Sequence, residues 1–337
     1  MLRSSPAVSP GASIQPAPGD GLDSAVDGGA GAAAAVGLGG QEAIVARDLL
    51  AWRRQLLRTS GGSRADLDWL LDLAGGLGWP QLQALHLHPN RTVLLSQPLA
   101  QLEHLWLRHR QRAEPLQYLV GRCPWRDLEL GVAPGVLIPR QETELLVDLA
   151  LELAPAAPAE GLLWADLGTG SGCLAVALAR ALPAARGLAV DVSDGALRQA
   201  AINRAAAAVE ARFSLLDSDW WEGLKPWWGR LDLVLANPPY IPTATVGGLD
   251  PVVREHEPLL ALDGGADGLV AIRAITAGAG RALAPGGVLL LEHHHDQSEA
   301  VLQLLAAAGL EAGQAHRDLE GVRRFASARR PCPGSLR

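Results

Sequence analysis

Cysteine is scarce in this sequence, and its few copies do not pair. Cys123, Cys173 and Cys332 lie far apart, and no two of them form a C-x-x-C motif. This spacing argues against a disulfide framework and against a zinc site, and it is typical of a reducing cytosol. We therefore expect a cytoplasmic protein and assign it no metal.

Long apolar runs and long basic runs are also missing. The longest apolar stretches are broken by charges or glycines and are too short to cross a bilayer. The formal net charge is −7 and the basic residues form no long run, so tight binding to a polyanion backbone is not expected. These absences predict a soluble protein, without membrane or stable nucleic-acid binding, that acts on a small molecule or a protein. We expect it to be a monomer.

The composition changes along the 337 residues. Residues 1–42 are almost entirely Ala, Gly, Pro and Ser, with too few large apolar side chains to offset the entropy of ordering, so we expect a disordered tail. A targeting peptide fits poorly, because the segment has one Arg, three Asp and no apolar core before a cleavage site. Residues 43–115 repeat apolar side chains at spacings of three and four and predict a small helical bundle. Residues 331–337 are expected to form a second tail.

Residues 116–140 predict a linker that contains a β-hairpin. The expected strands are 125–130 and 136–138, and the turn between them is expected at residues 131–135, where glycine and proline are concentrated.

Residues 141–330 alternate between strand and helix patterns. The expected strands are 162–167, 187–191, 212–216, 231–236, 287–292, 311–317 and 322–328, and the expected helices are 144–153, 172–182, 194–208, 268–284 and 296–308. Such alternation predicts an α/β fold with a doubly wound, mainly parallel sheet. The last two strands are joined by so few residues that they must pair antiparallel. A Rossmann-like sheet of seven strands with an antiparallel end is the shape of class I S-adenosylmethionine-dependent methyltransferases.

The most informative motif is Asn237-Pro238-Pro239-Tyr240, which follows the apolar run 231–236. Its two prolines remove backbone donors, hold φ near about −65° and stiffen the residue before each of them. The carboxamide oxygen of Asn237 and the backbone carbonyl of Pro238 thereby become fixed acceptors at the carboxyl end of a strand, close to the ring of Tyr240. A planar –NH2 group with two hydrogens matches such a pair.

A second motif is the turn Gly168-Thr169-Gly170-Ser171-Gly172, which lies between a strand pattern and a helix pattern. Glycine permits positive φ there and lets the backbone approach a ligand closely. Asp191 ends the next strand about 20 residues later, where nucleotide-binding α/β folds hold ribose hydroxyls. Dinucleotide, nucleotide and S-adenosylmethionine binders share this turn, but its combination with Asn237 to Tyr240 is specific.

Plainer interpretations stand beside these. One is that Asn237 to Tyr240 form an ordinary proline-rich turn, and another is that Asp191 is a helix N-cap or a loop carboxylate. His293, His294 and His295 suggest a metal site, but no companion ligands stand at a suitable spacing, so we expect a solvated strand end.

Five further motifs accompany the first two. They are Glu114-Pro-Leu-Gln-Tyr-Leu-Val-Gly121, Pro134-Gly-Val-Leu-Ile-Pro-Arg-Gln-Glu-Thr-Glu144, Ser218-Asp-Trp220, Glu257-Pro258 and Leu262-Asp-Gly-Gly-Ala-Asp-Gly268. Together the motifs resemble those of the N5-glutamine methyltransferases of class I peptide-chain release factors, the PrmC or HemK type, from about residue 44 to 328. Two departures are Gln141, where that family usually has proline, and Glu292-His-His-His-Asp-Gln297, where it usually has Glu-Ile-Gly-Tyr-x-Gln.

The resemblance implies transfer of the methyl group of S-adenosylmethionine to the side-chain amide nitrogen of the glutamine in a Gly-Gly-Gln loop. The helical segment would then recognise the release factor. The residues implied for the cofactor are Gly168, Thr169, Gly170, Ser171 and Gly172, with Asp191 on the ribose, Asp219 and Trp220 near the adenine, and Asn237. Those implied for the substrate amide are Asn237, Pro238, Pro239 and Tyr240, the last stacking on the amide plane, and catalysis would rest on Asn237, Pro238 and Tyr240.

Three alternatives remain open at this point. A methyltransferase for exocyclic amines of nucleic acids would present the same –NH2 group to the same acceptors. Related enzymes act on a glutamine of a ribosomal protein. A binding module that kept the fold without the chemistry is the third, and the intact Asn237, Pro238 and Tyr240 argue against it.

Overall fold

The computed structural model describes residues 40–155 and 161–333 of the chain. The predicted N-terminal tail lies outside these residues except at its end, where Glu42 already belongs to a strand. Of the predicted C-terminal tail, residues 334–337 lie outside the described part.

The N-terminal part is a helical bundle with a small two-stranded sheet. Its elements are β1 (Glu42–Val45), α1 (Ala46–Ser60), α2 (Arg64–Leu73), α3 (Trp79–Ala84), β2 (Thr92–Leu95), α4 (Leu99–Arg112) and α5 (Leu116–Val120). The helices enclose a core of their own in which Trp106 is fully buried, and Arg53 pairs with Asp68 inside it. The antiparallel pairing of β1 with β2 was not expected from the sequence.

A β-hairpin follows the bundle, but its position differs from the prediction. Its strands are β3 (Arg122–Trp125) and β4 (Leu128–Gly131), so the turn lies at Arg126 and Asp127. Arg126 adopts φ of 54°, and its N–H donates to the Glu144 carboxylate at 2.9 Å. Of the expected turn, Gly131 instead ends β4, residues 132–135 begin the loop that leads to the next helix, and residues 136–138 form no strand.

The remainder is the predicted α/β fold. Its elements are α6 (Glu144–Leu153), β5 (Leu163–Leu167), α7 (Cys173–Ala181), β6 (Arg186–Asp191), α8 (Asp194–Ala206), β7 (Phe213–Asp217), β8 (Leu231–Ala236), α9 (Thr243–Val246), α10 (Pro251–Arg254), α11 (Val270–Ala282), β9 (Leu283–Glu292), α12 (Ser298–Ala307), β10 (Glu311–Arg317) and β11 (Arg323–Arg329), with 3-10 helices at Glu222–Trp227 and Leu259–Ala261. The sheet order is β10-β11-β9-β8-β5-β6-β7, and β11 runs antiparallel to both neighbours. All seven expected strands and all five expected helices form, which confirms the fold class. Within the described residues no helix has the length and apolarity that crossing a membrane requires.

Alternate residues of each central strand face opposite sides of the sheet. In β5, Trp164 packs on the side covered by α6 and α7, whereas Ala165 and Leu167 pack on the side covered by α11 and α12. Both faces are buried, which explains why β5, β8 and β9 are apolar nearly throughout. The helical bundle and this sheet belong to one compact unit.

The strand order reverses at β5. From β5 the chain builds outward through β6 and β7 and then returns to place β8 on the other side of β5. Leu167 pairs with Ala236, so the glycine turn after β5 and the Asn237 segment after β8 begin side by side at the carboxyl edge of the sheet. Such a switch point is where open α/β sheets form a ligand crevice.

The packing of Trp164 gives a testable stability prediction. Trp164 is fully buried, and a Cβ atom added at Gly187 on the neighbouring strand would overlap its ring. Because an overpacked core must shift side chains or backbone, we expect Gly187→Ala to lower the free energy of unfolding by about 3 kcal/mol. Gly247→Ala is the control, since Gly247 has φ of −62° and no atom in the described part of the chain lies within 4 Å of a Cβ atom built there. Urea denaturation of both variants checks this, and equal midpoints would contradict it.

Candidate active site

A cavity of about 210 Å³ lies at this switch point. Of the residues singled out by the sequence, its lining contains Gly168, Thr169, Gly170, Ser171, Asp191, Asp219, Trp220, Asn237 and Pro239. Gly172, Pro238 and Tyr240 do not line it. The structure therefore brings most of the two motifs to one cavity.

The glycine turn is held in place by backbone hydrogen bonds from β6. The N–H groups of Gly168 and Thr169 both donate to the Val190 carbonyl, at 2.9 and 2.8 Å. Gly168 and Gly170 have positive φ, of 73° and 55°, which side chains rarely tolerate. No atom of the described residues lies within 4 Å of a Cβ atom built on Gly170, apart from its chain neighbours, so the backbone is open to the cavity there.

Asp191 ties the turn to the end of β6. One carboxylate oxygen accepts from the Gly170 N–H and the other from the Ser193 N–H, each at 2.9 Å. Ser193, not Asp191, caps α8, so the N-cap interpretation of Asp191 is wrong. Burial raises the pKa of Asp191 against the lowering effect of these hydrogen bonds. Each oxygen keeps a lone pair, so the carboxylate can still accept from a hydroxyl in the cavity.

Asp166 supports the same turn from below. Its side chain is completely buried, accepts from the Thr169 hydroxyl at 2.7 Å, and leaves Oδ1 without a partner among the described residues. Burial raises the pKa of Asp166 to about 7.

Asn203 on α8 connects the turn to the hairpin. Its Nδ2 donates to the carbonyls of Gly131 and Ser171, at 2.9 and 2.8 Å, and its Oδ1 accepts from the Gly131 N–H at 2.7 Å. Asn203 is buried, so one carboxamide satisfies three backbone groups on two separate segments. Sequence reasoning missed this residue, because nothing near it in the sequence marks the contact.

Asp219 and Trp220 follow β7 on the other side of the cavity. Asp219 is exposed and Trp220 is half-buried. Trp220 has φ of 46°, which is unusual for a bulky residue, and the Ser218 hydroxyl donates to its carbonyl at 3.1 Å. A Cβ atom on Gly168 would lie 3.3 Å from the indole, so glycine there makes room for the ring. The ring consequently forms one wall next to the glycine turn.

Asn237 and Pro238 present acceptors that the protein does not use. The Asn237 side chain makes one hydrogen bond, in which Nδ2 donates to the Thr143 hydroxyl at 3.0 Å. Within residues 40–155 and 161–333, no donor reaches the Asn237 Oδ1 or the Pro238 carbonyl oxygen. Two acceptors thus remain available where β8 ends.

Next to them lies a polar cluster that sequence reasoning missed, and its Thr143 also lines the cavity. Thr143 Oγ1 donates to one oxygen of Glu292 at 2.7 Å, and the Tyr240 hydroxyl donates to the other at 2.9 Å. Thr143 and Glu292 are both 2% exposed, and burial raises the pKa of Glu292 to about 7. One signal in the sequence was available, since Glu292 ends the otherwise apolar run 288–292.

Two further contacts hold the rim. The Gln297 side chain donates to the Tyr240 carbonyl at 3.0 Å, and any side chain at Gly268 would overlap that carbonyl. On the opposite side, the buried Glu257 accepts from Arg140 at 2.6 Å, which joins the loop before α6 to the loop before the second 3-10 helix. These contacts involve three of the further motifs found in the sequence.

The three histidines do not all lie where the sequence placed them. His293 is fully buried, so the expectation of a solvated strand end is wrong for it, while His294 and His295 are more exposed. Asp296 joins the latter two, with ligand atoms of all three within 4.8 Å of one another, so the expected lack of a companion ligand is also wrong. The hydrogen bond of 2.6 Å between His294 Nδ1 and Asp296 already accounts for their approach.

The cavity has the chemistry to hold a nucleoside. It offers an open glycine backbone at Gly170, a carboxylate at Asp191 for hydroxyl groups and an aromatic wall at Trp220. Apolar side chains, including Val136, Leu137 and Leu260, cover much of the remaining surface. These features fit the adenosine part of S-adenosylmethionine.

Comparisons with known proteins found a family model and several relatives that resemble this chain. A family model described as the methyltransferase small domain matches residues 143–247. The chain is 52% identical over 286 residues to a release factor glutamine methyltransferase of Prochlorococcus marinus, covering 85% of this chain and 97% of that protein. It is 45% identical over 265 residues to one of Gloeobacter violaceus, covering 76% and 87%. A solved release factor-specific protein-(glutamine-N5) methyltransferase from Alicyclobacillus acidocaldarius is 28% identical, with a TM-score of 0.36 and coverage of 60% of this chain and 99% of that one.

Proposed function

We propose a mechanism for this chain, which belongs to the release factor glutamine methyltransferase family. The chain is a protein-(glutamine-N5) methyltransferase that methylates a glutamine of peptide-chain release factors. Our proposal concerns the specific acceptor, the glutamine of the Gly-Gly-Gln motif in class I release factors, and the residues that carry out the transfer. One observation carries it: Asn237, whose Oδ1 is an unused acceptor, lines the same cavity as the glycine turn, and the unused carbonyl of Pro238 directly follows it in the chain.

The methyl donor is assigned to the side of the cavity formed by the turn. We propose that the backbone of Gly168 to Gly172 holds it, that Asp191 accepts from its ribose hydroxyls, and that Asp219 and Trp220 lie against the adenine. When bound, S-adenosylmethionine supplies a methyl carbon activated by its sulfonium sulfur, which leaves with the bonding electron pair.

Asn237 and Pro238 orient the side-chain amide of the substrate glutamine. An amide nitrogen is a poor nucleophile because its lone pair is delocalised into the carbonyl, so the protein must chiefly align it. If Asn237 Oδ1 and the Pro238 carbonyl each accept one N–H, the lone pair of the nitrogen is directed at the methyl carbon. Alignment of this kind is worth roughly 7 to 11 kcal/mol. The nitrogen becomes positively charged during transfer, and the same two acceptors stabilise that charge more than they stabilise the neutral amide.

Pro239 and Tyr240 complete the substrate side. We propose that Pro239 forms part of the wall and that the Tyr240 ring lies against the amide plane, held by its hydroxyl bond to Glu292. The methylated nitrogen loses its extra proton to water, so no side chain is assigned as a general base.

The residue that receives the methyl group is identified by labelling. We expect the full chain, incubated with methyl-labelled S-adenosylmethionine and a class I release factor, to label the Gly-Gly-Gln glutamine, as peptide mass spectrometry will show. The matched control is the same release factor with that glutamine replaced by glutamate, which has no amide nitrogen and should stay unlabelled. Ribosomal subunits and DNA are assayed in parallel. Label on either of them, with none on the release factor, would refute the proposed acceptor.

A further inference from the structure

Thr143 stands at the N-cap position of α6 but does not cap that helix. Threonine in this position usually accepts a hydrogen bond from the backbone N–H two or three residues later, which stabilises a helix by about 1 kcal/mol. Here its hydroxyl instead donates to Glu292 and accepts from Asn237. A common helix-stabilising contact is therefore replaced by one that reaches from α6 to the ends of β8 and β9.

The order of these hydrogen bonds fixes which way the Asn237 carboxamide faces. A hydroxyl has a single proton, and an ionised carboxylate can only accept. When Glu292 is ionised, above its pKa of about 7, the proton of Thr143 is directed to it at 2.7 Å, so Thr143 Oγ1 can only accept from Asn237. Asn237 must then turn Nδ2 toward Thr143, as observed at 3.0 Å, and its Oδ1 toward the cavity. Tyr240 donates to the second oxygen of Glu292, so that oxygen is also occupied by a donor.

We propose that Thr143 is a positioning residue that fixes the orientation of the Asn237 carboxamide, with Glu292 as the acceptor that sets its direction. This inference rests on the proposed role of Asn237 as an acceptor for the substrate amide. In the reverse orientation Asn237 would present N–H groups to an –NH2 group that itself needs acceptors. The register of the sheet supports the arrangement, because Ala236 pairs with Leu291 and thereby places Asn237 and Glu292 side by side.

The test uses variants of the full chain that alter the hydroxyl alone. Thr143→Val has the same shape without the hydroxyl, and we expect it to lower kcat by about 10- to 100-fold at saturating donor and release factor. We expect the affinity for S-adenosylmethionine, measured by titration calorimetry, to stay within about threefold of the wild type. Thr143→Ser restores the hydroxyl and should recover most of the lost kcat. Thr276→Val is the matched control, since Thr276 is also 2% exposed but its hydroxyl donates only to the Arg273 carbonyl in α11.

A spectroscopic measurement reports on the same contact without turnover. The side-chain amide resonances of Asn237, assigned by their loss in Asn237→Asp, should shift in Thr143→Val and return in Thr143→Ser. Glu292→Gln offers one acceptor oxygen where glutamate offers two, and it should also lower kcat. An unchanged kcat in Glu292→Gln would remove Glu292 from the proposal.

Three results would overturn the role of Thr143. One is a kcat of Thr143→Val within twofold of the wild type. The second is a parallel loss of donor affinity and kcat, which indicates general damage to the pocket. The third is a failure of Thr143→Ser to recover activity. If the wild type labels the release-factor glutamine and Thr143→Val behaves like it, only this inference fails; if the wild type does not label that glutamine, the proposed function fails first.

Discussion

Asn237→Ala should lower kcat by about a thousandfold, the largest loss expected from any single substitution in this site. The change removes the side-chain acceptor that aligns the amide, and with it the acceptor that stabilises charge on the nitrogen during transfer. The Thr143 hydroxyl would also lose the hydrogen bond that it accepts from Asn237 Nδ2, but the backbone carbonyl of Pro238 would remain in place. Single-turnover labelling of a class I release factor at saturating donor measures the effect.

The affinity for S-adenosylmethionine shows whether Asn237→Ala impairs only the alignment of the substrate amide or damages the binding pocket as well. Asn237 lines the cavity, but the residues assigned to the ribose and the adenine lie after β6 and β7. We therefore expect Asn237→Ala to bind S-adenosylmethionine within a few-fold of the wild type. Equal labelling by the variant would remove the proposed role of Asn237, and an affinity loss as large as the rate loss would assign the residue to the donor instead.

Asp191→Ala should weaken S-adenosylmethionine binding by about a hundredfold. Hydrogen bonds to a charged group each contribute about 1.5 to 3 kcal/mol, and the substitution removes those proposed to the ribose hydroxyls. It also leaves the N–H groups of Gly170 and Ser193 without their acceptor, so the glycine turn loses its link to β6. Titration calorimetry measures the change in the dissociation constant.

Asp194→Ala is the control for Asp191→Ala. Asp194 is an exposed carboxylate in the first turn of α8, three residues further along, and its removal changes the net charge by the same amount. We expect its donor affinity to match the wild type. Comparable weakening in both variants would attribute the effect to charge alone, and full affinity in Asp191→Ala would exclude Asp191 from the donor site.

The sheet and the two motifs were accessible from the sequence because their signals are local. Apolar runs such as 231–236 are long enough to define strands, and Gly168 to Gly172 and Asn237 to Tyr240 directly follow such runs. Parallel strands end at a common edge, so the meeting of the two motifs follows from the fold class. The register that pairs Leu167 with Ala236 confirms this meeting.

The predictions from sequence failed for two reasons. Some elements depend on contacts between residues far apart in the chain, and in one case a cluster of glycine and proline does not mark the turn. The strands β1 and β2 have four residues each and pair across the length of three helices, so no local pattern revealed them. The hairpin turn was assigned to residues 131–135 because glycine and proline cluster there, but the chain turns at Arg126. Gly135 instead lines the cavity.

Thr143 and Glu292 could not be assigned together, since 149 positions separate the two residues that share a hydrogen bond. Their proximity depends on α6 packing against the ends of β8 and β9, which only the tertiary structure shows. His293 was misjudged for a related reason, because β11 covers the end of β9 and its Arg324 carbonyl accepts from the His293 N–H.

The pairing of Leu167 with Ala236 has a consequence for how such an enzyme changes over time. One strand end supports the donor and its neighbour supports the acceptor, so each half can vary while the other stays constant. The residues proposed to hold the donor follow β5, β6 and β7, and those proposed to hold the substrate amide follow β8. The sheet thus holds the donor side and the substrate side of the site at fixed positions, and the two sides can change separately.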